Sequence, residues 1–219
     1  EPPHDFADGG MALKALLGAD AVVAFAAFAG PTLRDVADVI LPIGLLPEMD
    51  GTLVNVDGVP QQVQAGAKLP GQARPGWKVL RALGGQLQFA GFEFDDLAGL
   101  RAGMAEASTR PGAAGLATRE AVSGLTRLAS WPIYRTDAVL RRAEALNAHP
   151  LNRAPAARLN ADEAARLGLA AGEAVKLEQS VLPVAIDAAV PDGAVWIEAA
   201  HDLTATLPAY GATLTLSKA

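Results

Sequence analysis

The residues of this sequence that could do chemistry are few, and their spacing matches no catalytic or metal-binding motif. The three histidines are His4, His149 and His201, and no His-x-x-x-His spacing places two of them on one helical face. We interpret each as a loop histidine whose ring is satisfied by backbone or water. His201 precedes Asp202, but no serine has the context of a nucleophile elbow. We therefore predict no catalytic residue and no metal ligand in this segment.

Other chemistries are excluded by what the sequence lacks. It contains no cysteine, so its 219 residues can hold no cysteine-ligated iron–sulfur cluster, no disulfide and no cysteine nucleophile. No Gly-x-Gly and no Gly-Lys-Ser/Thr occurs, which argues against a dinucleotide fingerprint and a P-loop. Gly30 precedes a predicted helix, and we interpret it as part of a plain strand–helix turn rather than a phosphate site.

Polar side chains gather in one stretch between two apolar runs. Glu48 and Asp50 could form a carboxylate pair, but they stand beside a glycine, where turn chemistry explains them better. Asn55 and Gln61 carry amides that can both donate and accept hydrogen bonds. Short β-rich runs flank an Asp-Gly dipeptide between these amides, which predicts a hairpin over residues 52–64.

The elements that would position these residues follow from hydrophobic spacing and turn signals. A strand, a helix and a second strand over positions 21–41 predict a β-α-β unit. Several short strands and one short helix near the end predict a small barrel. The predicted elements are helix 11–17, strand 21–28, a helix opening at Thr32, strand 39–41, hairpin 52–64, helices 77–87, 94–107 and 136–147, a short helix opening at Asn160 and closed by Gly168, and strands 173–177, 181–186, 195–198 and 213–216, with a tight turn at Gln179-Ser180.

Two ordered motifs resemble the molybdopterin oxidoreductase superfamily. Residues 37–61 follow the pattern Ala-Asp-Val-hydrophobic-Leu-Pro, then Glu-x-x-Gly-Thr-x-x-Asn-x-acidic-Gly, then Gln. Residues 70–81 resemble the segment Pro-Gly-x-Ala-Arg-x-x-Trp-Lys-x-Leu. The resemblance is good over residues 1–93 and weaker but ordered over 150–219. Within the superfamily, the sequence resembles the large peripheral iron–sulfur subunit of bacterial NADH–quinone oxidoreductases, the respiratory complex I.

The resemblance implies an α/β fold with two domains. Residues 1–107 would form a partial Rossmann-like molybdopterin oxidoreductase domain. Residues 108–130 would be a linker, because their start is turn-rich and aperiodic. Residues 131–219 would form a small double-psi β-barrel similar to molybdopterin dinucleotide-binding domains. The sequence starts inside what resembles a helix–strand unit of the family, so we expect it to be the C-terminal part of a longer polypeptide.

The resemblance also places Asn55 and Gln61 near the pterin of active relatives. We interpret them as relict positions that stabilise the hairpin, because the arginine that often follows the acidic-Gly pair is here Val59, and the acidic residue before the tryptophan is here Gly76. The first change removes a positive charge that could meet an anionic cofactor. We therefore expect no cofactor in this segment, and we expect iron–sulfur clusters in the N-terminal part of the parent chain.

These observations lead to one functional hypothesis with two alternatives. The leading hypothesis is a non-catalytic structural region of the large iron–sulfur subunit of NADH–quinone oxidoreductase, which supports electron transfer from NADH to quinone. The first alternative is the cofactor-binding half of an active molybdopterin oxidoreductase such as a formate dehydrogenase. The second is an unrelated α/β adaptor. In the leading hypothesis the complex is the enzyme, and this segment itself has no active site.

Charge and hydropathy limit the partners that we expect. The formal net charge is −6 and no run of Lys or Arg exceeds two residues, which argues against nucleic-acid binding. The longest apolar run, 21–29, is far shorter than a membrane span, which needs roughly 20 residues. No secretory signal is visible. We expect the other peripheral-arm subunits of complex I as partners, and a cytoplasmic location peripheral to the inner membrane.

Overall fold

The computed structural model describes residues 1–104 and 124–219, which group into two compact units. The described part of unit 1 comprises residues 1–22, 30–36 and 124–219, and that of unit 2 comprises 23–29 and 37–104. The α-helices of the described residues are α1 (Pro2–Asp5), α2 (Gly9–Leu17), α3 (Pro31–Val36), α4 (Gly76–Gln86), α5 (Leu97–Met104), α6 (Glu144–Asn147) and α7 (Ala161–Arg166). Their strands are β1 (Val23–Ala26), β2 (Val39–Pro42), β3 (Gly51–Val54), β4 (Pro60–Val63), β5 (Leu125–Leu128), β6 (Ala157–Leu159), β7 (Ala174–Leu177), β8 (Ser180–Ile186), β9 (Ala194–Trp196), β10 (Thr213–Leu214) and β11 (Ser217–Lys218).

Unit 2 contains the two small sheets that the sequence predicts. Strands β1 and β2 pair in parallel, with Val23 opposite Val39. Since α3 lies between them in the chain, the predicted β-α-β order is confirmed. Strands β3 and β4 pair antiparallel, with Gly51 opposite Val63, so the predicted hairpin is confirmed as well.

Single residues account for the start of α5 and for the close packing of α4 in unit 2. Asp96 accepts a hydrogen bond from the backbone N–H of Gly99 at 2.7 Å, which caps the start of α5. Helix α4 packs closely against Phe92, because a Cβ atom built on Gly84 would lie 2.4 Å from the Phe92 ring. Glycine at position 84 is therefore required by this contact rather than by helix propensity.

Unit 1 contains a mixed seven-stranded sheet in the order β10-β5-β9-β6-β8-β7-β11. Strands β5 and β9 are parallel, as are β6 and β8, and the other neighbouring pairs are antiparallel. Side chains alternate along β8, where Leu182 and Val184 are buried and Val181 is half exposed. The core of this unit is apolar, and it includes Leu125, Leu159, Val175, Leu177, Leu182, Val184, Val195, Ile197, Leu207 and Leu214.

The start of α7 agrees with its prediction, whereas the turn after β7 differs from its prediction by one position. Asn160 caps α7 by accepting the N–H of Glu163 at 2.8 Å, as predicted. The Glu163 carboxylate accepts from the N–H of Gly193 and from Arg166. The turn lies at residues 178–179 rather than at 179–180, because Leu177 pairs with Ser180 across the hairpin.

Two other predicted segments differ in the structure. Strand β5 lies inside the predicted linker 108–130, because its residues pair with β9 and β10 from distant parts of the sequence. Residues 108–123 of that linker lie outside the described residues. The predicted helix 136–147 is broken into a 3-10 turn over Leu140–Arg142 and α6. Asp137 accepts two backbone N–H groups at 2.8 and 2.9 Å, which closes a turn instead of starting a long helix.

The mixed α/β class is confirmed, whereas the double-psi connection and the predicted domain boundaries stay predictions. Strand β6 was not among the predicted elements, because so short a strand carries too little periodic signal. The predicted helix 94–107 begins at Leu97, and its last positions, 105–107, lie outside the described residues. No helix in the described ranges is long and apolar enough to cross a membrane.

Candidate functional site

Unit 1 contains a cavity of about 570 Å³ that is open to solvent. Its walls are formed by the N-terminal segment (residues 1–17), by the start of α3 and by loops of the C-terminal part of the chain. This volume lies within the range of pockets that hold small ligands. The charged side chains on the walls, apart from histidine, are Glu1, Arg135, Arg141, Arg142 and Asp202.

Close backbone contacts hold the N-terminal segment against this cavity. A Cβ atom on Gly9 would lie 2.1 Å from the carbonyl oxygen of Ala205. One on Gly10 would lie 2.9 Å from the carbonyl oxygen of Thr206. The side chain of Asp8 caps α2 by accepting a backbone N–H at 2.7 Å. The Asp-Gly-Gly sequence therefore starts a helix and lets it approach another backbone closely.

Two carboxylates of the N-terminal segment neutralise a pair of arginines. Arg141 donates from Nε to Glu1 at 2.8 Å and from Nη2 to Asp5 at 2.6 Å. Arg142 donates to the other oxygen of Glu1. Only 5% of the Arg141 side chain is exposed. Burial raises the pKa of Glu1, but hydrogen bonds and charge from Arg142 and Arg141 outweigh it and lower that pKa below its usual value.

Arg135 is held by a loop rather than by a carboxylate. Its Nε donates to Asn152 and its Nη1 to the carbonyl oxygen of Ala200, both at 3.2 Å. The carbonyl oxygen of Arg135 in turn accepts from Arg141 at 3.1 Å. These bonds tie the two arginines together, so their guanidinium groups stand in fixed positions at the cavity wall.

Two of the three histidines are more buried than expected for loop residues. His4 lies in α1 rather than in a loop, which corrects its prediction. Its Nε2 lies 2.8 Å from Asp202 Oδ1, which forms a histidine–carboxylate pair that the sequence did not indicate. His201 is 7% exposed, and its Nε2 has no hydrogen-bond partner among the described residues. The prediction that backbone groups satisfy this ring therefore does not hold at Nε2 among the described residues.

The environment of His201 decides its charge. Burial and the nearby charge of Arg135 lower the pKa of His201 to about 4. His201 is therefore uncharged at neutral pH. Ser180, a buried serine, donates to the carbonyl oxygen of Leu203 rather than to this ring. The arrangement thus gives His201 no nucleophile to activate in the part of the chain that the structure describes.

The third histidine agrees with its predicted environment. His149 accepts the backbone N–H of Leu151 at 3.2 Å, and its ring contacts that of Tyr134 at a centroid distance of 5.2 Å. Within residues 1–104 and 124–219, no group of three or more His, Asp and Glu side chains is placed to hold a metal ion.

The two predicted site residues lie in unit 2, whereas the cavity is lined by unit 1. Asn55 Oδ1 accepts the backbone N–H groups of Asp57 at 3.0 Å and Val59 at 2.9 Å. Gln61 lies on β4 opposite Leu53, and its side chain is exposed. The structure thus places both amides on the hairpin, and their description as relict pterin positions stays a prediction.

Sequence reasoning did not find the arginine–carboxylate cluster, although one signal was present. Arg141 and Arg142 are the one place in the sequence where two basic residues are adjacent. Their carboxylate partners, Glu1 and Asp5, lie 140 and 136 positions from Arg141 along the chain. No local pattern joins residues this far apart.

Comparison with known proteins agrees with the sequence motifs. Residues 1–86 match the profile of the family described as Molybdopterin oxidoreductase. The resemblance to this family is confirmed. The hairpin and the strands β1 and β2 lie within the matched residues.

Relatives of the chain are named as subunits of a respiratory enzyme. The chain is 38% identical over 89 residues to the mitochondrial NADH-ubiquinone oxidoreductase 78 kDa subunit of Neurospora crassa, an alignment that covers 41% of this chain and 12% of that subunit. It is 38% identical over 87 residues to the corresponding subunit of Candida albicans, with 40% of this chain and 12% of that subunit covered. The chain therefore spans a small part of the length of these relatives.

A solved structure shows the fold. Acetylene hydratase from Pelobacter acetylenicus superposes with a TM-score of 0.62 at 17% identity, over 99% of this chain and 43% of that one. At this identity the likeness concerns the fold alone. The mixed α/β architecture is thus similar to the fold of that hydratase.

The pterin cofactor that the family name implies fits the hairpin of this chain poorly. The acceptor oxygen of Asn55 is already used by two backbone N–H groups of its own turn. Val59, which is half exposed, stands where members of the family often carry an arginine, so this position offers no positive charge to an anionic cofactor. The hairpin residues fit a rigid turn better than a pterin contact.

Proposed function

We propose that this chain is a non-catalytic structural region of an iron–sulfur subunit similar to the large peripheral subunit of NADH–quinone oxidoreductase. Its relatives among curated proteins are named as 78 kDa subunits of NADH-ubiquinone oxidoreductase, and this similarity supports the choice. In this role the region packs against other peripheral-arm subunits and keeps electron carriers held elsewhere in the polypeptide in place between NADH and quinone. It acts on the cytoplasmic side, peripheral to the inner membrane.

The observation that carries the proposal is that the Asn55 side chain accepts its hydrogen bonds from its own hairpin. The family motif preserves the amide, but its oxygen organises the tip of the β-turn through Asp57 and Val59. An amide whose oxygen accepts hydrogen bonds from its own turn stabilises the fold, whereas an amide that hydrogen-bonds a pterin takes part in cofactor binding. Arg141 and Arg142 of unit 1 are likewise neutralised by carboxylates of the same chain.

Elemental analysis of the native full-length polypeptide tests the proposal. Molybdenum and tungsten are measured on the purified protein, with a tungsten- or molybdenum-containing family enzyme prepared in parallel as the positive control. We expect neither metal above background, together with co-purification of other NADH–quinone oxidoreductase subunits. Stoichiometric metal in the chain overturns the proposal.

The second candidate is the cofactor-binding half of an active molybdopterin oxidoreductase such as a formate dehydrogenase. The match of residues 1–86 to the Molybdopterin oxidoreductase family supports this candidate. Stoichiometric molybdenum or tungsten in a chain that purifies without NADH–quinone oxidoreductase subunits supports this candidate over the first.

A further inference from the structure

Glu1 occupies a position in unit 1 that a small oxyanion could take. One carboxylate oxygen of Glu1 accepts from Arg142 and the other from Arg141, the latter at 2.8 Å. A single planar anion thus bridges two guanidinium groups, which is the arrangement that arginine pairs offer to carboxylate and phosphate ligands. The side chains of Arg141, Glu1 and Arg142 are 5%, 19% and 34% exposed. Water and salt therefore screen the Arg141 contact less than the Arg142 contact.

The space beside this contact is kept open by a glycine. A Cβ atom on Gly30 would lie 3.2 Å from Glu1 Oε1 and 3.3 Å from Arg142 Nη2, which is tighter than most real contacts. A side chain at position 30 would therefore press on the bridged carboxylate. The cavity described above extends from this point, and its volume is much larger than a carboxylate group needs.

Carboxylates of the same chain balance the arginines of the cavity walls. The walls carry Arg135, Arg141 and Arg142 together with Glu1 and Asp202, and Asp5 pairs with Arg141 beside them. Removal of the Glu1 carboxylate would therefore leave an excess of positive charge at this surface. A concave surface with an excess of one charge concentrates ligands of the opposite charge.

We propose that Arg141 and Arg142 form an oxyanion-binding site that the chain's own Glu1 occupies. The site takes a carboxylate or phosphate group of a small molecule when the Glu1 carboxylate is absent or displaced. Because Glu1 is tethered to the same unit, it competes at a high effective concentration with any free anion. The site is therefore closed to dilute anions in the unmodified chain and open in a chain without this carboxylate.

Thermal unfolding of the full-length polypeptide with two probes tests this proposal. Pyrophosphate and malonate are each titrated against the unmodified chain, Glu1→Gln, and the exposed control Glu178→Gln, which removes the same charge elsewhere. We expect Glu1→Gln to unfold at a lower temperature and to regain several degrees with pyrophosphate, whereas the unmodified chain and the control respond little. A response to malonate as well identifies a general oxyanion site, and a response to pyrophosphate alone identifies a phosphate site.

A second arginine variant identifies where the anion binds. In Glu1→Gln combined with Arg142→Gln, the recovery should be lost, whereas in Glu1→Gln combined with Arg153→Gln, an exposed arginine, it should persist. If Glu1→Gln does not fold, Glu1→Asp keeps the charge on a shorter side chain that cannot bridge both guanidinium groups, and it should show part of the recovery. Equal stabilisation of the unmodified chain and the variants, or no recovery in any Glu1 variant, overturns the proposal.

Discussion

Asn55 Oδ1 accepts the backbone N–H of Val59 at 2.9 Å and so closes the tip of the hairpin between β3 and β4. The backbone completes the same turn, because the Asn55 N–H donates to the carbonyl oxygen of Val59 at 3.2 Å. Gly58 stands between them with a positive φ, a conformation that glycine adopts without strain. The family motif therefore also encodes one specific turn.

Replacing Asn55 with Ala should weaken this turn. It removes an acceptor used by two backbone N–H groups, which we expect to cost about 1–2 kcal/mol of unfolding free energy. Asn55→Asp keeps the acceptor oxygen and serves as the control. Denaturant unfolding measures the stability, and, under the proposed function, NADH–quinone activity per assembled complex measures electron transfer. A large loss of turnover in fully assembled complexes of Asn55→Ala would contradict a structural role.

The buried ring of His201 should make stability depend on pH. Its pKa is about 4 in the folded chain and 6.5 for an unperturbed histidine, so between these values the unfolded chain binds more protons. The contribution of this ring to stability is complete above about pH 6.5 and decreases as pH falls toward 4. The total loss should be about 3 kcal/mol. The groups that act on this ring are Arg135, Asp202 and His4.

Two histidine variants separate this effect from general acid denaturation. His201→Gln should flatten the pH dependence between 6.5 and 4, whereas His149→Gln, at an exposed position, should leave it unchanged. Chemical denaturation at a series of pH values gives both curves. Parallel curves for the unmodified chain and His201→Gln would show that the ring is not the source. The lowered pKa of Glu1 contributes stability that is lost only as pH falls below about 4.5, and it does so equally in both histidine variants.

Neighbouring glycines in α4 should respond in opposite directions to the same substitution. Gly84→Ala places a methyl group 2.4 Å from the Phe92 ring and should destabilise unit 2 by about 1–3 kcal/mol. Gly85→Ala meets nothing within 4 Å and should stabilise the helix by up to about 1 kcal/mol. Thermal or denaturant unfolding of the two variants side by side is the measurement. Equal effects would mean that Phe92 does not pack on this face.

Arg141→Gln should destabilise unit 1 more than a surface arginine does. The change leaves Asp5 without the guanidinium that lies 2.6 Å away and leaves Glu1 with Arg142 alone of this pair. Because Arg141 is nearly buried, we expect a loss of about 2 kcal/mol, against about 0–1 kcal/mol for the control Arg153→Gln. Limited proteolysis should also cut the N-terminal segment faster in Arg141→Gln. Identical proteolysis and stability in the two variants would argue against a stabilising contact of Arg141 with Glu1 and Asp5.

Much of the local structure of this protein follows from its sequence, because the signals are local. The hairpin with its Asp-Gly tip, the β-α-β order and the Asn160 cap each depend on residues within a few positions of one another or on the order of neighbouring elements. The family resemblance follows for the same reason, since its main motif is one continuous stretch that also encodes a turn.

Contacts between distant parts of the chain determine strand β5, the arginine–carboxylate cluster and the burial of His201. Strand β5 exists because β9 and β10 offer hydrogen bonds on both of its sides, and its short sequence carries no periodic signal of its own. The arginine–carboxylate cluster joins Glu1 to Arg141 across 140 positions. His201 is buried, and the charges of Arg135 and His4, both remote in sequence, act on its ring. Ion pairs and burial depend on distance in space, and a sequence pattern reports distance along the chain.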